Sequence, residues 1–194
     1  MVLARSALMH YQFETIHPFL DGNGRIGRLL IGLQLIAEGR LNAPLLYLSG
    51  YMETFRRDYY DRLQAVRETG DIQGWLRFFF VAVKAQSDDA VDRAGRLVAL
   101  REDFYKQSSA DRSRVNALIP LIFYNPFITV ARVQRAVGVT AQGARNLLDR
   151  AVQYGWLQYM GAVGSPGRHY YAAPRVLEII ETPTSYPEGG ESDG

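Results

Sequence analysis

His17-Pro18-Phe19-Leu20-Asp21-Gly22-Asn23-Gly24-Arg25-Ile26-Gly27-Arg28 is the stretch on which the reading of this chain turns. Pro18, Gly22 and Gly24 interrupt regular structure. From Gly24 to Glu38 the sequence is helical and strongly apolar, and Gly39 is a natural stop. A glycine-rich loop therefore feeds a helix N-terminus. The unpaired N–H groups and the dipole of a helix N-terminus favour a phosphate. Gly22 and Gly24 free the backbone so that successive N–H groups converge on an anion. Arg25 and Arg28 are three apart, share one helix face and suit further phosphate oxygens. Asp21 sets a carboxylate beside those phosphates, as Mg²⁺ bridging protein and substrate requires. His17, just before the loop, supplies an imidazole, the side chain most often used as a general base. Each residue has a plainer reading alone: a structural histidine, a turn, a solvated arginine pair. Their joint occurrence within twelve residues favours a nucleotide phosphate cradle with a metal ligand and a base.

Outward from this stretch the pattern is mainly α. A helix is expected over 3–15, with Leu3, Ala7, Met9 and Phe13 among its apolar positions. The helix after the motif is apolar enough to be central in a core. Tyr51, Phe55, Tyr59 and Leu63 recur at i, i+4 over a helix at 51–67, and 72–107 holds one or two more. No strand pattern precedes residue 120. After Ser108-Ser109 the character changes. A short helix at 113–122 carries Pro120, a turn follows at Asn125-Pro126, and Gly138 ends a helix at 130–137. Thr140 is a good N-cap for a helix over 141–153. That helix turns Ala144, Leu147, Leu148 and Val152 inward, and Gln142, Arg145, Asn146, Asp149 and Gln153 outward. Trp156–Met160, a Gly-rich turn and Arg168–Ala172 then read as strand, turn, strand.

Helix, helix, hairpin is a winged-helix pattern, an α+β module of helix-turn-helix type. Its recognition helix would be 141–153, with Gln142, Arg145 and Asn146 outward to meet DNA or, as in many winged helices, a dimer mate or another protein. Its wing is the Gly161–Gly167 turn with Arg168 and His169. The expected organisation is four-part. Residues 1–85 form a helical core with the motif, 86–119 a connecting helix, 120–180 the winged helix, and 181–194 a disordered acidic tail.

Composition bounds the rest. The 194 residues are 47% hydrophobic and 22% charged, which excludes wholesale disorder. The absence of cysteine excludes disulfides, Cys-ligated zinc, iron–sulfur sites and thiol catalysis. A net charge of +2 excludes a strongly polyanion-binding chain as a whole. Yet residues 120–180 carry six arginines against Asp149 and Glu178, net +4, and four acids make 181–194 net −4. With no targeting segment or membrane-length apolar run, a soluble cytoplasmic protein without membrane contact is expected.

The motif resembles the signature of the Fic family, H-P-F-x-[DE]-G-N-G-R-x-x-R, at all nine specified positions. Chance agreement at background residue frequencies is on the order of one in 10⁹ or rarer per site. Leu48–Glu53 and Arg57-Asp58-Tyr59-Tyr60-Asp61 extend the resemblance, which covers about residues 1–85. It implies the C-terminal part of a helical Fic core and protein adenylylation: transfer of AMP from Mg-ATP to a Ser, Thr or Tyr hydroxyl of a target protein, or of the chain itself. By the resemblance His17 is the catalytic base and Asp21 the Mg²⁺ ligand. Gly22, Asn23 and Gly24 form the anion hole, and Arg25 and Arg28 hold the β- and γ-phosphates. Tyr59 and Tyr60 match aromatics that line the nucleoside site, with core packing an equal reading for each. Pro18 and Phe19 are expected to anchor the loop in the core. Some relatives place an adenine-contacting Asn where Arg67 stands, which leaves base recognition open.

The hairpin flap that aligns the target in Fic proteins precedes the motif helix. The chain is therefore expected to be N-terminally truncated, with apolar surface on its first helix that favours a homodimer. Thr184-Ser-Tyr-Pro-Glu188-Gly189 matches the letters of the family's inhibitory helix, but Pro187 opposes a helix there. Two competing readings stand beside adenylylation. One is a DNA-binding winged-helix regulator with a catalytically impaired Fic remnant. The other is transfer of a phosphoryl or different nucleotidyl group by the same cradle.

Overall fold

A computed structural model describes residues 2–42, 46–163 and 168–182, with the side chains of Val163 and Arg168 left out. The Ala43-Pro44 loop, the turn at 164–167, the Arg168 side chain and the tail from 183 onward, including Thr184–Gly189, lie outside that description. The chain is mainly helical with one small sheet. It divides into two compact units between Val91 and Asp92. Among the described residues no helix is long and apolar enough to cross a membrane.

The first unit contains α1 (Val2–Ile16), α2 (Asn23–Ala37), α3 (Leu48–Thr54), α4 (Arg56–Thr69) and the start of α5 (Ile72–Gln107). Residues 72–107 are thus one helix. Ala7, Ile31, Met52, Tyr59, Trp75 and Phe79 are buried at its core. Burying a large side chain such as Trp75 or Phe79 contributes about 2–3 kcal/mol. The Trp75 indole N–H donates to the Ala7 carbonyl at 3.0 Å, which ties α5 to α1. Gly27 sets the approach of α1 to α2. A Cβ there would fall 2.6 Å from Glu14 Oε1 and 3.1 Å from the His10 ring.

Three expectations change in this unit. The helix after the motif is not buried all round. Asn23, Gly27, Ile31 and Leu35 form its buried stripe, while Leu29 and Leu33 are more than half exposed. Apolar content alone does not separate a central helix from one that packs on a single side. The helix expected at 51–67 is two helices meeting at Phe55, whose φ of −105° and ψ of 41° leave the helical region. Phe55 N still donates to Tyr51 O and Tyr59 N to Phe55 O, so the apolar spacing runs through the break. Phe19 is half exposed and packs against Phe13, with ring centroids 6.3 Å apart, rather than entering the core.

The second unit takes the remainder of α5. A 3-10 turn (Val115–Leu118), α6 (Ile119–Tyr124), β1 (Phe127–Thr129), α7 (Val130–Val137) and α8 (Ala141–Gln153) follow. It ends with β2 (Gln158–Val163), β3 (Arg168–Ala172) and α9 (Pro174–Glu181). The sheet is antiparallel in the order β1-β3-β2. The β2–β3 register shifts between Tyr159 and Gly161, where Gly161 takes a φ of 104° that favours glycine. Thr129 and Thr140 cap α7 and α8 through bonds from Arg132 N and Gly143 N. Phe104, Ile122, Ile128, Leu148 and Trp156 are buried at the centre. The buried face of α8 is Ala144, Leu147, Leu148 and Ala151, so Ala151 replaces the expected Val152, which is 37% exposed. The i, i+3, i+4, i+7 stripe ends one residue earlier than expected.

Candidate functional site

The motif lies where α1 ends and α2 begins. Pro18 disfavours the right-handed helical region for the residue before it. His17 leaves α1 with a φ of 49°, the only non-glycine residue with positive φ among the described residues. A histidine there is strained by about 1 kcal/mol or more, and such strain gathers at functional sites. Its N–H still closes the last turn of α1 on Phe13 O at 3.0 Å, and its side chain is exposed.

The loop is held by its own asparagine. Asn23 is buried; its Nδ2 donates to Phe19 O at 2.6 Å and its Oδ1 accepts from Phe19 N at 2.9 Å. The side chain is spent on the loop, so what Asn23 offers an anion is its backbone N–H. Gly22, with φ 84°, takes the cap position of α2 and makes no side-chain cap. The first backbone bond back into the helix runs from Ile26 N to Gly22 O. The N–H groups ahead of it form the open end of the helix that binds anions.

Both arginines fold back over this end. Side chains in an α-helix lean toward its N-terminus. A Cβ on Gly22 would lie 3.6 Å from Arg25 Nη2, and one on Gly24 would lie 3.1 Å from Arg28 Nη1. Arg25 also faces Asp21 at 3.5 Å, and both side chains are largely exposed. Such a pair contributes little to stability and is free to exchange for a ligand. Asp21 Oδ1 accepts from Gly22 N at 2.6 Å. Arg28 is anchored differently: its Nε donates to Ser49 Oγ at 2.9 Å.

One polar-lined cleft of about 380 Å³ gathers these groups. It is bordered by His17, Asp21, Gly22, Asn23, Gly24, Arg25 and Arg28, and on its other side by Tyr59 and Tyr60. Leu20, Met52, Glu53 and Arg56 also border it, and composition or spacing gave no signal for them. An apolar groove of about 550 Å³ near Val2, Leu35 and Phe80 is roomier, so chemistry rather than volume singles out the cleft. Tyr59 is buried and its hydroxyl is committed to His10 Nε2 at 3.0 Å. Tyr60 is half exposed, with Arg56 5.8 Å from its ring centroid.

Beneath the cleft lies a polar layer that the sequence did not reveal. His10 is fully enclosed, between Tyr59 and a stacked Trp75. Burial pushes its pKa down to about 4; an interaction with the Gly27 backbone works against this and the Arg28 charge works with it. Burial also raises the Glu14 carboxyl, against the charges of His17 and Arg28. Glu14 Oε1 is buried with no hydrogen-bond partner. Tyr59 is raised above the usual phenol range, by burial first and then by Glu14.

A Mg²⁺ ion bound with a nucleotide takes one or two carboxylates and leaves its other positions to phosphates and water. Asp21, exposed beside an open helix N-terminus, fits that donor set. Among the described residues no three acidic or histidine side chains are grouped to hold a metal by themselves. In the second unit Gln142, Arg145 and Asn146 lie on the exposed side of α8, bonded mainly to one another.

Residues 1–35 match the Fic/DOC family model. A probable protein adenylyltransferase of Aquifex aeolicus is 42% identical over 55 residues, 28% of this chain and 17% of that protein. The protein adenylyltransferase Fic of Aedes aegypti is 41% identical over 73 residues, 38% of this chain and 13% of its own length. The protein adenylyltransferase fic-1 of Caenorhabditis elegans is 38% identical over 76 residues, 39% of this chain and 14% of its own length. The similarity thus spans less than a fifth of each of these relatives.

Proposed function

With that segment and that motif this chain is a Fic family protein, and on this premise we propose that it is a protein adenylyltransferase. Its substrates are ATP and a Ser, Thr or Tyr hydroxyl of a target protein or of the chain itself. The observation that carries the proposal is the single cleft joining His17, Asp21, the open end of α2 and two arginines. The names of the relatives support the reaction class.

The residues divide the work as follows. The triphosphate lies on the N–H groups of Asn23, Gly24 and Arg25, with Arg25 and Arg28 on its β- and γ-phosphates. Asp21 is the residue that would hold a Mg²⁺ ion brought with the nucleotide, and such an ion would supply charge neutralisation at the phosphates. The imidazole of His17 takes the proton from the target hydroxyl as its oxygen attacks the α-phosphorus. A new O–P bond forms, the α–β bridging P–O bond breaks, and pyrophosphate leaves with its charge held by the arginines. Tyr60 and Arg56 border the side of the cleft left for the nucleoside. We infer further that residues 120–180 form a winged helix. The element order, the β1-β3-β2 sheet and the outward polar face of α8 support it.

Labelled ATP tests the reaction. Label from the α-phosphate should appear on protein in the presence of Mg²⁺, and vanish with His17→Ala and Arg28→Ala. Transfer of label only from the γ-phosphate refutes adenylylation and points to phosphoryl transfer.

A further inference from the structure

Arg28 reaches the cleft under two constraints, neither of which involves another charge. Its Nε donates to the hydroxyl of Ser49 at 2.9 Å, from the first turn of α3. Its Nη1 lies over the Gly24 backbone, so close that a Cβ there would meet it at 3.1 Å. A guanidinium offers one edge through Nε and Nη and another through the two Nη groups. Spending Nε on Ser49 fixes the plane and turns the Nη edge toward the open end of α2. A flexible arginine would lose rotamer freedom on binding a phosphate; a tethered one has already lost it.

We propose that Ser49 is a positioning residue for the triphosphate: its hydroxyl fixes Arg28 so that the two terminal nitrogens face the phosphates beyond the α-position. The inference rests on the adenylyltransferase reading, and it adds α3 to the substrate machinery. Gly24 belongs to the same device, because a Cβ there would crowd the guanidinium at 3.1 Å where it lies across the helix end.

The geometry carries a signature that general loosening would not give. Arg28 acts on the β- and γ-phosphates, so loss of Ser49 should weaken binding of a triphosphate and leave a monophosphate alone. Calorimetry on the whole chain with Mg²⁺, comparing α,β-methylene-ATP with AMP, measures both. Ser49→Ala should weaken the triphosphate analogue by about tenfold, the scale of one hydrogen bond to a charged group, with AMP affinity unchanged. Ser49→Thr, which retains the hydroxyl, should restore most of that loss. In turnover the change should fall on KM for ATP more than on kcat.

Arg28→Ala separates the layers of the argument. If Arg28→Ala weakens the analogue and Ser49→Ala does not, the positioning role is wrong and the cleft reading stands. If Arg28→Ala itself leaves the analogue untouched, the phosphate role of Arg28 falls and the positioning role falls with it. Equal weakening of AMP and analogue by Ser49→Ala also overturns the proposal, since that is the mark of a disturbed fold.

Discussion

His10 makes the first unit acid-sensitive, by an amount that follows from its surroundings. It is fully enclosed, and its Nε2 lies 3.0 Å from the Tyr59 hydroxyl. Burial lowers its pKa from 6.5 to about 4. Above pH 6.5 the ring is neutral in both folded and unfolded chains, and the full stability is present. Between 6.5 and about 4 the unfolded chain binds a proton that the folded chain refuses, so stability falls as pH falls. Below about 4 this residue costs nothing further. At about 1.4 kcal/mol per pKa unit, the loss is roughly 3 kcal/mol, a large share of the 5–15 kcal/mol typical of a domain.

Glu14 titrates with the opposite sign. Its raised carboxyl takes up a proton more readily when folded, which favours the folded state as pH falls. The His10 contribution must therefore be read as a difference between variants, not from one acid curve. His10→Gln retains a polar partner for Tyr59 and removes the titration. The assay is urea unfolding at pH 7, 6, 5 and 4, followed through the Trp75 indole N–H resonance. The chain has two tryptophans, and Trp75 lies in the first unit while Trp156 lies in the second, so each reports on its own unit. The native protein should lose about 3 kcal/mol more than His10→Gln between pH 7 and 4. Parallel pH curves for the two proteins, or a His10 ring that titrates near 6.5 in the folded state, would refute the reasoning.

Two substitutions on α2 should act with opposite signs. Gly27→Ala places a Cβ 2.6 Å from Glu14 Oε1 and 3.1 Å from His10, and should destabilise by about 1–2 kcal/mol once the helix preference of alanine is offset. Gly32→Ala meets nothing within 4 Å and should stabilise by about 0.5–1 kcal/mol in the same urea assay; a gain from both would show that the α1–α2 seam is loose. For the second unit, a winged helix that uses α8 on DNA should give a gel shift that weakens with salt and is lost in Arg145→Ala; no shift at low salt excludes that use of the face.

Most of the cleft was legible because its parts are local. Pro18, Gly22, Gly39, Gly138 and Thr140 mark element ends by backbone chemistry alone, and in the structure a helix ends or begins within two residues of each. What escaped depends on packing between elements. His10 and Glu14 look like ordinary residues of an amphipathic helix until Gly27 brings α2 against them. Ser49 stands 21 residues from Arg28, and only the fold makes them neighbours. Leu29 and Leu33 carry the same apolar letters as Ile31 and Leu35, and no local rule says which side α1 and α5 will cover.

The spacing inside the motif has a reason that structure makes plain. A helical side chain leans toward the N-terminus and covers the residue three or four positions before it. Arg25 lies over Gly22 and Arg28 over Gly24, spacings of three and four. Each arginine is thus paired with the glycine its guanidinium must cross to reach the helix end. Arginines placed before the loop would lean away from that end; a Cβ at 24 would crowd Arg28 at 3.1 Å, and at 22 the left-handed backbone itself favours glycine. Glycines first, arginines one turn later, is the order that converges backbone N–H groups and guanidinium groups on one anion. The histidine completes it from the other side, because α1 stops at the proline and leaves His17 facing the same opening.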